Sequence, residues 1–319
     1  MSNQTLNKYL FKLTHLNRAN TIYGKAPHKP VLLISIIELI GKGLVSDNRF
    51  YIDTDLVAAF QENWRLLVDT LHQSDFTQPF FYLQSEKVQG EQLWHLQAKF
   101  GCQINAHIKS ISRLREVLDF GYFEKSLYSL LTNPHDRNVI KTVLLETYFP
   151  TTSSHFKQSK LKGEGYIQEL QKYILNEPEA RYKTPSIDTE EDIFVRGGLF
   201  KKLVPKVYNS TCSFTGMRLE STFAHSFIDA CHIVPFSLTH DDTITNGIAL
   251  CPNLHRAFDR GLVSVDNDYR IIISKHISEI ENHTYSLKLL TDRKIRLPLD
   301  TQYFPSLENL KWHREQIFK

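Results

Sequence analysis

The sequence has no apolar run long enough to cross a membrane. Its longest one, Val31 to Ile40, is interrupted by Ser35 and Glu38, whereas a transmembrane helix needs about 20 predominantly apolar residues. The first residues also lack the charged and apolar regions of a secretory signal peptide. Neither an internal repeat nor a low-complexity segment is present. We therefore expect a globular protein of the cytoplasm that makes no contact with a membrane.

Cysteine is scarce, with four residues in a chain of 319. Such low use, without a signal peptide, predicts free thiols in a reducing compartment. A structural zinc site of the double Cys-x-x-Cys kind needs four ligands, but Thr215 occupies the second cysteine position after Cys212 and no second pair follows. We expect the cysteines to pack as small apolar side chains. They are Cys102, Cys212, Cys231 and Cys251.

A strong charge of either sign is also missing. The 38 Lys and Arg residues against 35 Asp and Glu residues give a net charge of +3, which permits nucleic-acid binding without requiring it. Apolar residues make up 41% and charged residues 23% of the chain, as in an ordinary globular protein. The length is sufficient for two domains, each with its own core.

The most informative feature is a set of three polar residues in the C-terminal half. His232 is followed after thirteen residues by Asn246 and after eight more by His255. The patterns around them predict two short strands joined by a polar loop and followed by a helix. A divalent ion would be held between strand and helix. The segments concerned are Asp229–Phe236, Asn246–Cys251 and Leu254–Asp259.

These residue types suit hydrolysis of a phosphodiester bond, which requires a base to activate water and a cation to stabilise the developing negative charge. His232 is the candidate base because an imidazole titrates near neutral pH. Asn246 can bridge backbone groups across the loop and hold His232 in register. His255 would ligate the ion. Asp259, four residues later on the same helical face, would be a second ligand or an orienting partner.

Over about residues 199–274 the chain resembles the HNH, or ββα-metal, nuclease superfamily. A Cys-x-x-Thr-Gly knuckle precedes the three polar residues, His-Ile-x-Pro surrounds the first histidine, and Phe-Asp-Arg-Gly follows the last. The resemblance implies a metal-dependent DNA endonuclease with His232, Asn246 and His255 as catalytic residues and one divalent ion per site. Because a single site nicks one strand, a homodimer is expected for a double-strand break.

Cys231 departs from the pattern of the superfamily. Many HNH nucleases carry Asp or His as a metal ligand directly before the base, and a thiolate suits Mg²⁺ badly. Either His255 holds the ion with Asp259 or Asp229 and water, or Cys231 is a ligand and the site prefers Mn²⁺, Ni²⁺ or Zn²⁺. Mg²⁺ and Mn²⁺ are the leading candidates. A further hypothesis is a DNA-binding protein whose nuclease has decayed, with Cys231 as the lesion.

The chain divides into three predicted segments within an α+β fold. Proline, threonine and serine at residues 150–154 mark one boundary. Residues 178–192 are rich in Glu, Asp, Thr and Pro, which is typical of a linker. The segments are a mixed helix and strand domain at residues 1–150, a linker and helical segment at 151–198, and the nuclease domain at 199–319.

The first segment mixes helical and strand-like patterns. Val31–Lys42 and Thr54–Leu71 have the apolar spacing of helices. Phe80–Leu83 and Trp94–Leu96 are predicted to be strands that flank a turn at Gly90. Further helices are predicted between residues 111 and 148.

Several motifs of the first segment carry a second resemblance. They are Ala26–Leu33, Gln78–Leu83 with Trp94–Leu96 downstream, Asp119–Phe123 and Leu144–Pro150. Together they resemble the sulfur-binding domain of phosphorothioate-dependent restriction endonucleases, which shares one chain with an HNH nuclease. The resemblance implies binding of phosphorothioated double-stranded DNA, with His28 and Lys29 as a basic pair and Pro79, Phe80 and Tyr82 at the pocket.

Recognition of sulfur has a physical basis. Replacing a phosphate oxygen by sulfur makes the atom larger, more polarizable and a poorer hydrogen-bond acceptor. A pocket with apolar walls favours it, because an ordinary oxygen would lose hydrogen bonds to water there. Basic residues must still hold the neighbouring backbone. The alternative hypothesis is that the same domain reads unmodified or otherwise modified DNA.

Overall fold

The computed structural model describes residues 3–163, 165–175, 189–219, 226–280, 283 and 285–319. Helices and short antiparallel strand pairs alternate along these residues, and the predicted α+β class is confirmed. The helices are α1 (Asn3–Leu13), α2 (His28–Gly41), α3 (Thr54–Leu67), α4 (Thr77–Tyr82), α5 (Ile111–Val117), α6 (Lys125–Thr132), α7 (Pro134–Tyr148), α8 (Ser153–Lys162), α9 (Tyr166–Ile174), α10 (Glu190–Val207), α11 (Phe236–Thr239), α12 (Pro252–Asp259) and α13 (Leu307–Gln316). The strands are β1 (Asn20–Thr21), β2 (Gly24–Lys25), β3 (Lys87–Val88), β4 (Glu91–Gln92), β5 (Trp94–Ala98), β6 (Leu118–Phe123), β7 (Asp229–His232), β8 (Gly247–Leu250), β9 (Val263–Val265) and β10 (Ile271–Ile273).

The chain forms two compact units. The first comprises residues 1–168 and 187–195, and the second comprises residues 169–186 and 196–319. In the first unit Lys160 of α8 contacts Glu62, and its Nζ lies 3.1 Å from Glu38 Oε2. The domain limits at residues 150 and 198 stay predictions. Of the predicted linker, residues 178–188 lie outside the described residues.

Helix α2 forms the centre of the first unit. Every residue from His28 to Ile40 is buried, and the helix packs against α3, α4 and α7. Beside it, β5 and β6 pair with Trp94 opposite Phe123. Gly121 of β6 lies under the indole, where a Cβ would be 2.1 Å from the Trp94 ring. Only glycine fits this position, because any side chain would displace the buried tryptophan.

The predicted strand at Phe80–Leu83 is wrong, because α4 occupies this position. Asp75 Oδ1 accepts hydrogen bonds from the backbone N–H of Gln78 (3.1 Å) and from the hydroxyl of Thr77 (2.7 Å), which stabilises the first turn of a helix. Pro79 is tolerated so close to the helix start. A short hairpin does form around Gly90, but from β3 and β4 and not from the two predicted strands. The predicted strand at Trp94–Leu96 is part of β5, which pairs with β6.

The second unit contains β7 to β10 and ends with α13, which packs against β9. Gly261 follows α12 with a φ of +71°, and a Cβ there would lie 2.0 Å from the carbonyl oxygen of Ile317. The Phe-Asp-Arg-Gly sequence therefore ends in glycine because the backbone after α13 approaches it closely. None of the helices that the structure describes is long and apolar enough to span a bilayer.

Candidate active site

The predicted ββα arrangement is formed by β7, β8 and α12. β7 and β8 are antiparallel, with His232 opposite Gly247. Pro252 is the first residue of α12, where its missing N–H and fixed φ are well tolerated. His232, at the end of β7, and His255, in the first turn of α12, line one cleft of about 360 Å³.

The imidazole of His232 is held on two sides. Its ring stacks on Phe200 of α10 at a centroid distance of 3.9 Å and an interplanar angle of 7°. Its Nε2 lies 2.9 Å from Oδ1 of Asp242, and 22% of the side chain remains exposed. The candidate base is therefore fixed in orientation and still reaches the cleft.

Asn246 lies beneath the loop between β7 and β8 and is fully buried. Its Oδ1 accepts from the N–H of Val234 at 2.9 Å, and its Nδ2 donates to the carbonyl oxygens of Val234 and Asp241, both at 3.0 Å. Asn309 of α13 also donates to Oδ1 at 3.1 Å. The side chain thus ties the loop that carries Asp242 to the backbone that follows His232.

Three side chains beside His232 could hold a metal ion. The ligand atoms of Cys231, His255 and Asp259 all lie within 4.8 Å of one another. His255 Nε2 is 3.5 Å from Asp259 Oδ2, and its Nδ1 is 3.2 Å from Asp229 Oδ2. An imidazole and a carboxylate suit Mn²⁺ and other divalent ions, and a carboxylate on the second imidazole nitrogen is the usual partner of a metal-binding histidine. The residues present therefore fit a divalent ion.

Cys231 contributes to this cluster as a thiol. The side chain is fully buried, and burial, together with the charges of Asp259 and Asp229, raises its pKa well above the ordinary value. Its Sγ donates to Asp259 Oδ1 at 3.6 Å. In this arrangement the sulfur orients the carboxylate that faces the ion position, and becoming a ligand would require loss of the thiol proton.

A third imidazole of this cleft, His313, has a different environment. It stacks on Phe258 at 3.7 Å and is 1% exposed. Ser264 Oγ and the carbonyl oxygen of Phe258 lie 2.8 and 3.1 Å from its two ring nitrogens. Burial lowers its pKa to about 4. His313 is therefore a neutral packing residue and supplies neither a base nor a ligand.

The first unit has its own cavity of about 640 Å³, which brings together most of the residues predicted to bind DNA. His28, Lys29, Pro79 and Tyr82 line it. Phe80 does not, which corrects its prediction as a wall residue. Because α4 is a helix, the Phe80 side chain points into the core, where it is fully buried and packs against Phe76 and Trp94.

His28 and Lys29, the predicted basic pair, each contact a group of the protein itself. His28 is buried, its Nε2 lies 3.0 Å from the carbonyl oxygen of Gln73, and burial lowers its pKa, so the neutral form is favoured. Lys29 contacts the fully buried carboxylate of Glu86, which Lys12 also approaches at 2.7 Å. Neither residue is a free cation for a phosphate. Arg18 and Lys25 also line this cavity.

The pairing of Lys29 yields a prediction on stability. Lys29→Ala should lower the free energy of unfolding by about 3 kcal/mol, the lower end for breaking a buried ion pair, because Lys12 still pairs with Glu86. Urea unfolding measures this change. Lys29→Met combined with Glu86→Gln should lose less, since the fully buried carboxylate is then gone and the cation left without it, Lys12, is partly exposed to solvent. Equal stability of Lys29→Ala and wild type would contradict the burial of this pair.

Sequence reasoning missed several residues that build these sites. Asp242 lies in a polar loop with two adjacent aspartates, and nothing in the sequence indicates which one turns inward. Phe200 and Arg196 lie on α10, more than thirty residues before His232. The spacing of apolar residues marks Phe200 only as a core residue. Their contacts arise from the tertiary fold alone.

Known proteins match parts of this chain. Residues 212–266 match the HNH endonuclease family. The chain is 26% identical over 92 residues to the type IV methyl-directed restriction enzyme EcoKMcrA of Escherichia coli (strain K12). The aligned residues make up 28% of this chain and 33% of that protein. This chain thus spans about a third of the length of EcoKMcrA, the curated relative that it matches. The modification dependent TagI restriction endonuclease is similar with a TM-score of 0.31 and 22% identity over 39% of each chain.

The family match begins at the Cys212 knuckle and includes both strands and the helix of the ββα arrangement. HNH nucleases use a divalent metal ion, and the Cys231, His255 and Asp259 cluster lies within the matched residues. The prediction of an HNH endonuclease domain in the C-terminal part of the chain is therefore confirmed for residues 212–266.

Proposed function

We propose that this protein is a modification-dependent restriction endonuclease that recognises phosphorothioated double-stranded DNA with its first unit and hydrolyses DNA at the HNH site. The observation that carries the proposal is the cavity of the first unit, which combines a proline wall with cations, in the same chain as an HNH domain. EcoKMcrA, which is similar over a third of its length, is a methyl-directed restriction enzyme. This likeness supports a modified DNA as the substrate class.

The chemistry of the cavity supports sulfur as the modification. Pro79 presents a ring without hydrogen-bond donors, and Tyr82, 44% exposed, adds an aromatic side chain to the lining. A phosphate oxygen placed there would lose hydrogen bonds to water, whereas a sulfur atom loses less. Arg18 and Lys25 supply positive charge for the adjacent phosphates.

In the nuclease unit each residue has a distinct task. His232 accepts a proton from water as the water oxygen bonds to phosphorus and the bond to the 3′ oxygen breaks. The leaving 3′ oxygen takes a proton from solvent, so that the products are a 5′ phosphate and a 3′ hydroxyl. Asn246 fixes the loop beside the base. His255 and Asp259 would hold the divalent ion, with Asp229 orienting the imidazole. The bound ion supplies positive charge for the phosphate and the leaving oxygen.

Matched duplexes test the proposal. Wild-type protein should cut a phosphorothioated duplex with Mn²⁺ or Mg²⁺, cut the plain duplex much less, and cut neither with EDTA. A duplex with methylated bases is the third substrate, and preferential cutting of it would move the recognised modification from the backbone to the base. Two copies of the chain are proposed to act on the two strands, so double-strand cutting should rise more steeply than nicking with protein concentration.

Pro79→Ala and Lys25→Ala, two substitutions in the cavity, should change DNA affinity in different ways in gel shifts performed in EDTA. Pro79→Ala should reduce affinity for the phosphorothioated duplex and shrink its preference, by about 1–3 kcal/mol at most, the value for desolvating one polar group. Lys25→Ala should weaken binding to every duplex and reduce the slope of log affinity against log salt by about 1. Leu44→Ser, an exposed apolar residue among Asp47 and Asp55, is the control and should bind as wild type. Equal binding of wild type to plain and phosphorothioated duplexes would exclude the sulfur cavity.

A further inference from the structure

We propose that Asp242 and Arg196 are positioning residues that set the tautomer and orientation of His232 for proton transfer. The inference rests on the HNH nuclease activity and holds whichever DNA modification the first unit recognises. Neither residue touches the cleft where the phosphodiester would lie. They act through the imidazole, which does.

The carboxylate of Asp242 is divided between two partners. Its side chain is 1% exposed, Oδ1 lies 2.9 Å from His232 Nε2, and Oδ2 lies 3.7 Å from Arg196 Nε. Asn246 holds the loop that carries it through the carbonyl oxygen of Asp241. A buried carboxylate requires a compensating charge, and Arg196 is the cation that the structure places beside it.

Arg196 is itself held in place. Its side chain is 1% exposed, its Nη2 donates to the carbonyl oxygen of His240 at 3.2 Å, and its guanidinium lies 4.9 Å from the ring centroid of Tyr173. Among the described residues, its Nε and Nη1 and Asp242 Oδ2 have no hydrogen-bond partner. Burying Arg196 with its Nε 3.7 Å from Asp242 Oδ2 costs desolvation energy that the charge attraction does not repay in folding stability. The pair is therefore assigned to the positioning of His232, which Asp242 contacts directly.

The chemistry of the contact fixes the tautomer of the base. An ionised carboxylate only accepts hydrogen bonds, so His232 Nε2 must carry the proton. The lone pair then lies on Nδ1, which is the nitrogen able to accept a proton from water. Phe200 prevents the ring from turning over, because it covers one face at 3.9 Å. When the imidazole gains its second proton, the same carboxylate stabilises the charge.

Asp242→Asn tests this role with little change in shape. The cation of Arg196 should attract the new amide carbonyl, which turns the NH₂ group toward Nε2 and imposes the tautomer with a proton on Nδ1. We expect kcat for cleavage to fall by about 10²-fold or more, within the range for loss of a general base, with KM within a few-fold. The thermal midpoint and the Mn²⁺ dissociation constant verify that the fold and the ion position are intact.

The double variant Arg196→Met with Asp242→Asn separates positioning from folding. Without the cation, the amide can turn its carbonyl toward Nε2, so kcat should recover at least tenfold over the single variant. A kcat for Asp242→Asn within threefold of wild type would overturn the inference. So would a loss of kcat equal to the loss of folded protein, or a double variant no faster than the single one.

Nitrogen NMR of ¹⁵N-histidine-labelled protein reports the tautomer without any activity. The His232 signals, assigned by their loss in His232→Gln, should show a protonated Nε2 in wild type and a protonated Nδ1 in Asp242→Asn. If wild-type protein cut no duplex, the proposed nuclease activity would be refuted. The NMR measurement would still show which ring nitrogen of His232 carries the proton. The same tautomer in both proteins would refute the proposal.

Discussion

Replacing His232 by alanine should lower the rate of DNA cleavage by about 10²–10⁴-fold, the usual contribution of a general base, while the affinity for DNA stays within a few-fold of wild type. The base acts in the transition state and adds little to ground-state binding. Cleavage of a labelled duplex in excess metal gives the rate, and gel shifts in EDTA give the affinity.

Two further measurements sharpen this test. The substitution leaves a space against Phe200, so added imidazole should restore part of the cleavage in His232→Ala. His276→Ala removes an exposed imidazole of the same unit and should cut as wild type. Cleavage by His232→Ala within a few-fold of wild type would show that another group activates the water.

His255→Ala should abolish cleavage at ordinary metal concentrations, with a loss of at least about 10²-fold, since changes in groups that merely orient metal ligands already cost 10–100-fold. The imidazole is the one nitrogen ligand in the cluster with Cys231 and Asp259. Because Asp259 remains, raising the Mn²⁺ concentration should restore part of the rate. Titration of the rate with Mn²⁺ separates weaker ion binding from a damaged fold.

Cys231→Ser is the matched comparison for the metal site. If the sulfur only orients Asp259 through its hydrogen bond of 3.6 Å, serine should keep cleavage with Mg²⁺ and Mn²⁺ nearly unchanged. If the sulfur is a ligand, cleavage with Zn²⁺ or Ni²⁺ should fall more than cleavage with Mg²⁺, because a thiolate favours the softer ions.

An unchanged Mn²⁺ titration for His255→Ala would remove this histidine from the ligand set.

The nuclease site follows from the sequence because its residues are close along the chain. A hairpin and one helical turn place His232 and His255 together whatever the rest of the protein does, since strand pairing and helix geometry are local. Asn246 is similar, because an amide at the end of a loop readily binds the backbone across it. The apolar run before residue 41 likewise predicted α2.

The tertiary structure alone decided how the base is held and which residues line the cavity of the first unit. Asp242, Arg196 and Phe200 meet His232 through packing of distant segments, which no local pattern encodes. Phe80 turned into the core because Asp75 caps a helix where strand-like residues predicted a strand. The sequence around Lys29 predicted a cation that binds a phosphate, yet Lys29 contacts the buried carboxylate of Glu86, 57 positions away. Local spacing determines which groups a hairpin or helix brings together, whereas burial and charge pairing are set by the whole fold.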